Sequence, residues 1–232
     1  MSYVIPAPQI PALAIADSSD LFPVRRVYCV GRNYAAHARE MGGDPTREPP
    51  FFFMKPADAL QVVPPGQIVD HPYPPKTQNY HFEIEMVVAL SQGGRDIPVS
   101  QALDHVFGYA VGLDMTRRDL QDEAKQLRRP WELGKSADHS GPVGPLFPAS
   151  RIGHPKGGTI SLSVDGAQRQ KAELSDMIWS VAEQISYLSS YFELAPGDVI
   201  FSGTPDGVGS VTQGQTMIGS IEGLGEISLR VV

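Results

Sequence analysis

Cysteine is nearly missing from this 232-residue chain. Cys29 stands alone, so no disulfide can form within the chain, which fits a reducing cytoplasm. No apolar run approaches the ~18 residues that a membrane-spanning helix needs. Residues 1–16 lack the basic start and unbroken apolar stretch of a secretory signal. Positive charge is also short: 19 Lys and Arg face 26 Asp and Glu, a net charge of −7. That balance argues against nucleic acid or an anionic membrane as partner. No repeat, low-complexity tract or charge run is present. What the chain does have is 23 glycines and 21 prolines, which punctuate short apolar runs. Such punctuation favours many short strands over a helical bundle. A mixed α+β fold dominated by strands is therefore expected, with residues 1–23 as an extended N-terminal arm and 24–232 as a single domain.

Strands are predicted at 27–30, 51–54, 81–90, 106–113, 198–202 and 226–232. Residues 159–164 and 168–170 flank Asp165-Gly166, a strong two-residue hairpin turn. Residues 60–76 are proline-rich and predict a loop with little regular structure. Asn33 can cap a short helix running to Glu40 and stopped by Gly42-Gly43. Residues 100–104 predict a short helix, and 116–127 a longer one capped by Thr116. The best helical pattern covers 175–192, where Ile178, Val181, Ile185, Leu188 and Phe192 recur three or four apart.

Three carboxylates stand out against this background. Glu83 and Glu85 lie two apart within the 81–90 run, so they point to one face of the predicted strand. Asp114 closes another apolar run, Val106–Leu113. Paired acids in apolar strands repel each other and lose hydration unless a counter-charge holds them. A hard divalent cation with oxygen ligands would do so. The alternative is a sheet with one solvated face, but Ile84, Met86, Val87 and Val88 leave little alternation after Glu85. His37 and Glu40, three apart, form a second pair on one helix face. A carboxylate beside an imidazole raises its basicity for deprotonating water, although the same pair also occurs on ordinary surface helices. Residues 203–209 form a glycine-rich turn that lacks the Lys-Ser/Thr of a phosphate loop. Its backbone N–H groups and the Thr204 hydroxyl can instead approach a substrate closely. His71, His105, His139 and His154 show no ligand-like spacing.

Several motifs together resemble the fumarylacetoacetate hydrolase family. They are Gly31-Arg32-Asn33-Tyr34 with His37 and Glu40, Phe53-Met54-Lys55-Pro56, Glu83-Ile84-Glu85, residues 113–121, Gly134-Lys135, and Gly203-Thr204-Pro205 with Gly207-Val208-Gly209. They run in order from residue 24 to the C-terminus. Within the family the chain looks most like the bacterial fumarylpyruvate hydrolases, through residues 25–41, Pro49 to Phe53, 109–121 and 176–181.

The resemblance implies a β-sandwich roll of the family's C-terminal-domain type, homodimeric, with Mg²⁺ or Mn²⁺ at the mouth and Ca²⁺ acceptable in crystals. Carried over by position, Glu83, Glu85 and Asp114 would hold the metal. His37 and Glu40 would activate water, on a segment (33–49) that acts as a lid in relatives. Lys135 would stand beside the metal. Arg118, Gln121, Thr204 and Lys55 would line the substrate site, and Arg47 would meet a distal carboxylate. The implied reaction is hydrolysis of the carbon–carbon bond of an acylpyruvate, fumarylpyruvate above all, to fumarate and pyruvate. Two other functions stay open: oxaloacetate decarboxylation or 2-hydroxydienoate isomerisation on the same scaffold, and non-catalytic binding of a 2-oxo acid.

Overall fold

Polar and apolar residues alternate along 159–164, and a computed structural model of the protein turns that alternation into a half-buried strand, Thr159–Val164. The strand turns back through Asp165 and Gly166, at φ 50° and 79°, into Ala167–Glu173. Two positive φ values define the hairpin turn whose twist matches its strands. The structure describes residues 3–40 and 48–232, and the side chains of these except 38–40.

Among the described residues, two sheets enclose the main core. One runs in the order Phe51–Lys55, Arg26–Gly31, Asp198–Phe201, Ile84–Leu90, Val106–Leu113, Gly141–Val143, Leu60–Val62, with Phe147–Pro148 also pairing to Val106–Leu113. The other runs Ala167–Glu173, Thr159–Val164, Thr216–Ile221, Gly225–Val231, Ile68–His71. Met86, Val88, Val111 and Leu113 pack toward Ile160, Leu162, Met217 and Leu229 across the gap. The opposite face of the first sheet, with Val27, Cys29, Val87, Ala89 and Phe201, is also covered: Leu13, Phe22 and Val24 lie against it. Ile84–Leu90 is therefore buried along its whole length, which is why its sequence does not alternate.

The N-terminal segment is not featureless. Ala12–Ala14 pairs antiparallel with Leu21–Pro23, and this hairpin supplies Leu13 and Phe22 to the second core. Residues 60–76 likewise hold two strands, Leu60–Val62 and Ile68–His71, each parallel to a distant partner. Their ladders are long-range, so local composition did not announce them.

Three predicted elements have different bounds, each for a tertiary reason. The 81–90 run is split at Glu83 into Tyr80–Phe82 and Ile84–Leu90. Tyr80–Phe82 belongs to a separate three-stranded sheet with Thr116–Arg117 and Gly209–Val211. At the break, the Ile84 N–H donates to Gln170 Oε1 at 3.0 Å instead of to a neighbouring strand. Thr116 does not cap the following helix: its hydroxyl donates to the Asp114 carbonyl at 3.0 Å, and the helix is Arg118–Gln126. The helix expected over 175–192 is Val181–Tyr191, begun by Ser180 and Glu183 in a reciprocal cap. Residues 178 and 179 are drawn off, because their N–H groups donate to the carbonyl and side-chain oxygens of Asn33, each at 2.7 Å.

Candidate active site

Glu85 leaves the first sheet from the second residue of Ile84–Leu90, on the same face as Val87 and Ala89. The strand beside it, Val106–Leu113, pairs Leu113 with Ile84. One residue later the Asp114 N–H donates to the Glu83 carbonyl at 2.8 Å. The end of one strand pair thus brings three carboxylates together, all buried, with one oxygen of each within 4.8 Å of the others.

Cations arrive from three other elements. Lys135, from the short helix Glu132–Lys135, places Nζ 2.8 Å from Glu83 Oε2 and 2.7 Å from Asp114 Oδ2. The same ammonium lies 4.9 Å from the centre of the Phe53 ring. Arg118, opening its helix, donates to Glu83 Oε1 and to Gln121 Oε1. Its Nε donates to His81 Nδ1 at 3.3 Å, while His81 Nε2 meets Asn79 Oδ1 at 2.8 Å. Burial, reinforced by Arg118, lowers the His81 imidazole to about 4, so its ring stays neutral and Nδ1 remains an acceptor.

The two glutamates are electrostatic opposites. Burial alone would push Glu83 up, but Lys135, Arg118 and His37 outweigh it and hold the carboxyl well below its usual range. Glu85 is pushed well above that range by burial and by the charges of Asp114 and Glu83. Its hydrogen-bond support is the Gly203 N–H, donated to Oε2 at 2.7 Å. Gly203 sits at φ 100° and a Cβ there would lie 2.5 Å from Asn33 Cβ, so only glycine brings this N–H so close. Asp114 Oδ1 is also under-used. Lys55 Nζ is 2.8 Å away, but its protons go to the Met115 carbonyl (3.2 Å), Ser140 Oγ (3.1 Å) and the Lys135 carbonyl. No well-directed hydrogen bond reaches Asp114 Oδ1. A buried carboxylate oxygen of Asp114 without a directed donor, within reach of the oxygens of Glu83 and Glu85, makes the donor set a hard divalent cation takes. The residues present fit a metal ion.

The acids line a cavity that opens to solvent. His37, Arg118, Gln121, Lys135 and Thr204 all line it, together with Arg32, Phe51, Phe53, Lys125 and Trp131. His37 is buried and projects from the helix Ala35–Glu40. Glu40 ends that helix, with its side chain outside the described residues, as are Arg47 and the central part of the expected lid. Lys55 does not line the cavity; it braces Asp114 and the Met115 and Lys135 carbonyls from behind.

Asn33, expected only as a helix cap, and Gln170, given no role by pattern, hold the site in place. Asn33 donates to the Trp179 and Ser202 carbonyls at 2.9 and 2.8 Å, which anchors the start of the His37 helix to residues far along the chain. Gln170 accepts from Ile84 N–H and donates to Thr204 Oγ1 at 2.9 Å and the Pro205 carbonyl at 2.8 Å. Asn33 lies within the Gly31-Arg32-Asn33-Tyr34 motif, a local signal. Gln170 carries none.

The family model for the fumarylacetoacetate hydrolase C-terminal region matches residues 26–232. The chain belongs to the fumarylacetoacetate hydrolase family. A member of solved structure, the fumarylpyruvate hydrolase of Pseudomonas aeruginosa in complex with Mn²⁺ and pyruvate, is 60% identical. It covers 100% of this chain and 99% of its own, with a TM-score of 0.98. A fumarylpyruvate hydrolase from Ralstonia sp is 42% identical over 188 residues, 81% of this chain and 95% of that protein. The mitochondrial oxaloacetate tautomerase of Arabidopsis thaliana is 41% identical over 206 residues, 89% of this chain and 90% of that protein. The strand-dominated α+β fold is that of the family's C-terminal domain, as the resemblance implied.

Proposed function

We propose that this protein is a metal-dependent hydrolase that cleaves the carbon–carbon bond of an acylpyruvate, with fumarylpyruvate as substrate and fumarate and pyruvate as products. The observation that carries this is the buried Glu83–Glu85–Asp114 cluster facing His37 across one cavity, in a chain 60% identical to a fumarylpyruvate hydrolase that binds Mn²⁺ and pyruvate. Glu83, Glu85 and Asp114 would hold Mg²⁺ or Mn²⁺. Such an ion supplies Lewis acidity toward the oxygens of a 2-oxo acid.

The chain's own groups do the rest. His37 takes a proton from water, and Glu40 at the end of the same helix supports the resulting imidazolium. The hydroxide adds to the acyl keto carbon. The bond from that carbon to the methylene then breaks, and its electron pair leaves with the pyruvate fragment. A proton delivered to the methylene completes pyruvate, and the acyl group departs as a carboxylate. Lys135 keeps positive charge at the pyruvate end, where negative charge develops. Arg118, Gln121 and Thr204 orient the pyruvyl portion. Lys55 acts from behind, by holding Asp114 and the Lys135 backbone in register.

The same proposal takes residues 24–232 as one catalytic domain, a homodimer as the working form and the cytoplasm as its place. The test is direct: fumarylpyruvate is supplied to chelator-stripped protein, then Mg²⁺ or Mn²⁺ is restored. Equimolar fumarate and pyruvate, appearing only with metal, are expected. No pyruvate release with either ion overturns the proposal. The similarity to oxaloacetate tautomerases supports a second reading, proton transfer on oxaloacetate at the same acids. It needs no attacking water, and turnover of oxaloacetate enol without any acylpyruvate cleavage would favour it.

A further inference from the structure

The cations of this cavity fall into two sets. Arg118 and Lys135 are spent on Glu83 and Asp114. Arg32 and Lys125 line the same cavity yet reach neither of these acids. The Arg32 guanidinium carbon lies 5.8 Å from the centre of the Phe51 ring, and Lys125 Nζ 5.5 Å from that of Trp131. Phe51 and Trp131 themselves meet edge to face at 5.5 Å, with Phe53 5.7 Å from Trp131 on the inner side. The result is an aromatic wall that starts at Lys135 and ends in two cations at the mouth. A flat conjugated chain suits such a wall, because ring faces accept planar partners without side-chain rearrangement.

The outer cations are set there at some cost. Arg32 is held at φ 56°, a left-handed backbone that is unfavourable for a side-chain-bearing residue. Non-glycine residues in that region cluster at ligand sites. Lys125 has one carboxylate nearby, Asp122 Oδ1 at 3.2 Å, itself half exposed. Burial pushes the Lys125 ammonium down; Asp122 offsets this in part, and the charges of Arg118 and Arg32 add to the downward push. With Arg118 committed to Glu83 and Asp122 the one carboxylate paired with Lys125 among the described residues, the repulsion between Arg32 and Lys125 would be relieved by an anion arriving from solvent.

We propose that Lys125 and Arg32, carried on Trp131 and Phe51, form the subsite for the distal carboxylate of a planar dicarboxylic acyl chain, so that the enzyme selects dianionic acylpyruvates over those with a neutral acyl tail. This deepens the acylpyruvate hydrolase reading and rests on it. The pyruvyl end is held at the acid cluster, the conjugated acyl chain lies along Phe53, Trp131 and Phe51, and its terminal carboxylate meets the two cations.

The test compares kcat/KM for fumarylpyruvate and acetylpyruvate in the metal-loaded enzyme and in Lys125→Met, Arg32→Met, the double variant and Lys125→Arg. Methionine keeps the stem on the ring and removes the charge. The fumarylpyruvate-to-acetylpyruvate ratio is expected to fall about 10-fold in each single methionine variant and further in the double one, the size of a pocket-level discrimination. Most of the loss is expected in KM, and Lys125→Arg is expected to restore most of the ratio. Fumarate, as a competitive inhibitor, is expected to bind about 10-fold more weakly to Lys125→Met. A ratio unchanged in the double variant, an unchanged fumarate inhibition constant, or failure of Lys125→Arg to restore the ratio overturns the subsite while leaving the hydrolase reading in place. Release of pyruvate from neither substrate by the unsubstituted enzyme overturns both.

Discussion

Two buried polar clusters lie on either side of Tyr80–Phe82, and they are built on opposite principles. In one, His71 is sandwiched between Gln61 Oε1 at 2.7 Å and Tyr80 Oη at 2.9 Å, and its ring stacks parallel to that of Tyr80. Burial, aided by His139 and Lys55, lowers its pKa to about 4, so it is neutral and both nitrogens are satisfied. In the other, Glu83, Glu85 and Asp114 crowd together with Glu85 held up by one backbone N–H and Asp114 Oδ1 left without a directed donor. His71, Tyr80 and all three acids are buried. The difference is that the histidine network closes on itself, while the acid cluster has unused bonding capacity aimed into a cavity. A buried group that only builds structure is neutral and fully paired; one that awaits a ligand is charged and is not.

Glu85→Gln breaks that contrast most sharply. It keeps shape and removes the anion that lacks a cation, so the metal site loses a charged ligand. Activity at fixed Mg²⁺ or Mn²⁺ should fall on the order of 10³-fold, the several kcal/mol a catalytic ion supplies. In chelator, where burial and the neighbouring acids favour the protonated form of Glu85, the same variant should melt close to the unsubstituted protein. Calorimetry with and without metal, beside an activity assay, reads both. A variant that melts lower in chelator would show that Glu85 is stabilising in its own right.

His37→Ala separates the base from the acids. Acylpyruvate cleavage should slow on the order of 10²–10⁴-fold, while titration with Mn²⁺ should give nearly unchanged affinity. Near-normal turnover at saturating metal would remove His37 from the mechanism.

The neutral cluster gives the smallest effect, and it appears in stability rather than rate. The folded His71 pKa of about 4 lies below the ordinary 6.5. The unfolded chain therefore takes up a proton first as pH falls. Stability from this group is present above pH 6.5 and is lost on acidification toward pH 4, up to about 3 kcal/mol. Denaturant titrations from pH 7 to 4 should show that loss shrinking in His71→Gln, with kcat unchanged at pH 7. An identical acid slope in the variant would place the proton uptake elsewhere.

Much of the site was legible without coordinates because its parts obey local rules. The two-residue spacing of Glu83 and Glu85 within an unbroken apolar run signals buried acids on one face. The position of Asp114 at the end of Val106–Leu113 signals a strand terminus, and the structure ends that strand there. Motif order carried Lys135, Arg118, Gln121 and Thr204 to the same cavity. The misread elements have a common cause. Thr116, residues 178–179 and the break at Glu83 each surrender a local preference to a partner more than 80 residues away or to a backbone group across a turn. Lys55 sits in a motif as plainly as Lys135 does, yet its ammonium is turned away from the cavity.

Period-two and three-to-four-residue patterns, turn chemistry and charge count are properties of neighbouring residues, so the sequence alone determined the strand-rich class, the Asp165-Gly166 hairpin and the identity of the acids. Which acid obtains a cation depends on elements brought together from distant parts of the chain, since Coulomb interactions and desolvation follow distance in space rather than along the backbone. Only the tertiary structure therefore decided that Glu83 is the paired glutamate and Glu85 the buried one without a cation of its own, that Asn33 and Gln170 are the pins, and that Arg32 and Lys125 stand at the mouth with charge to spare.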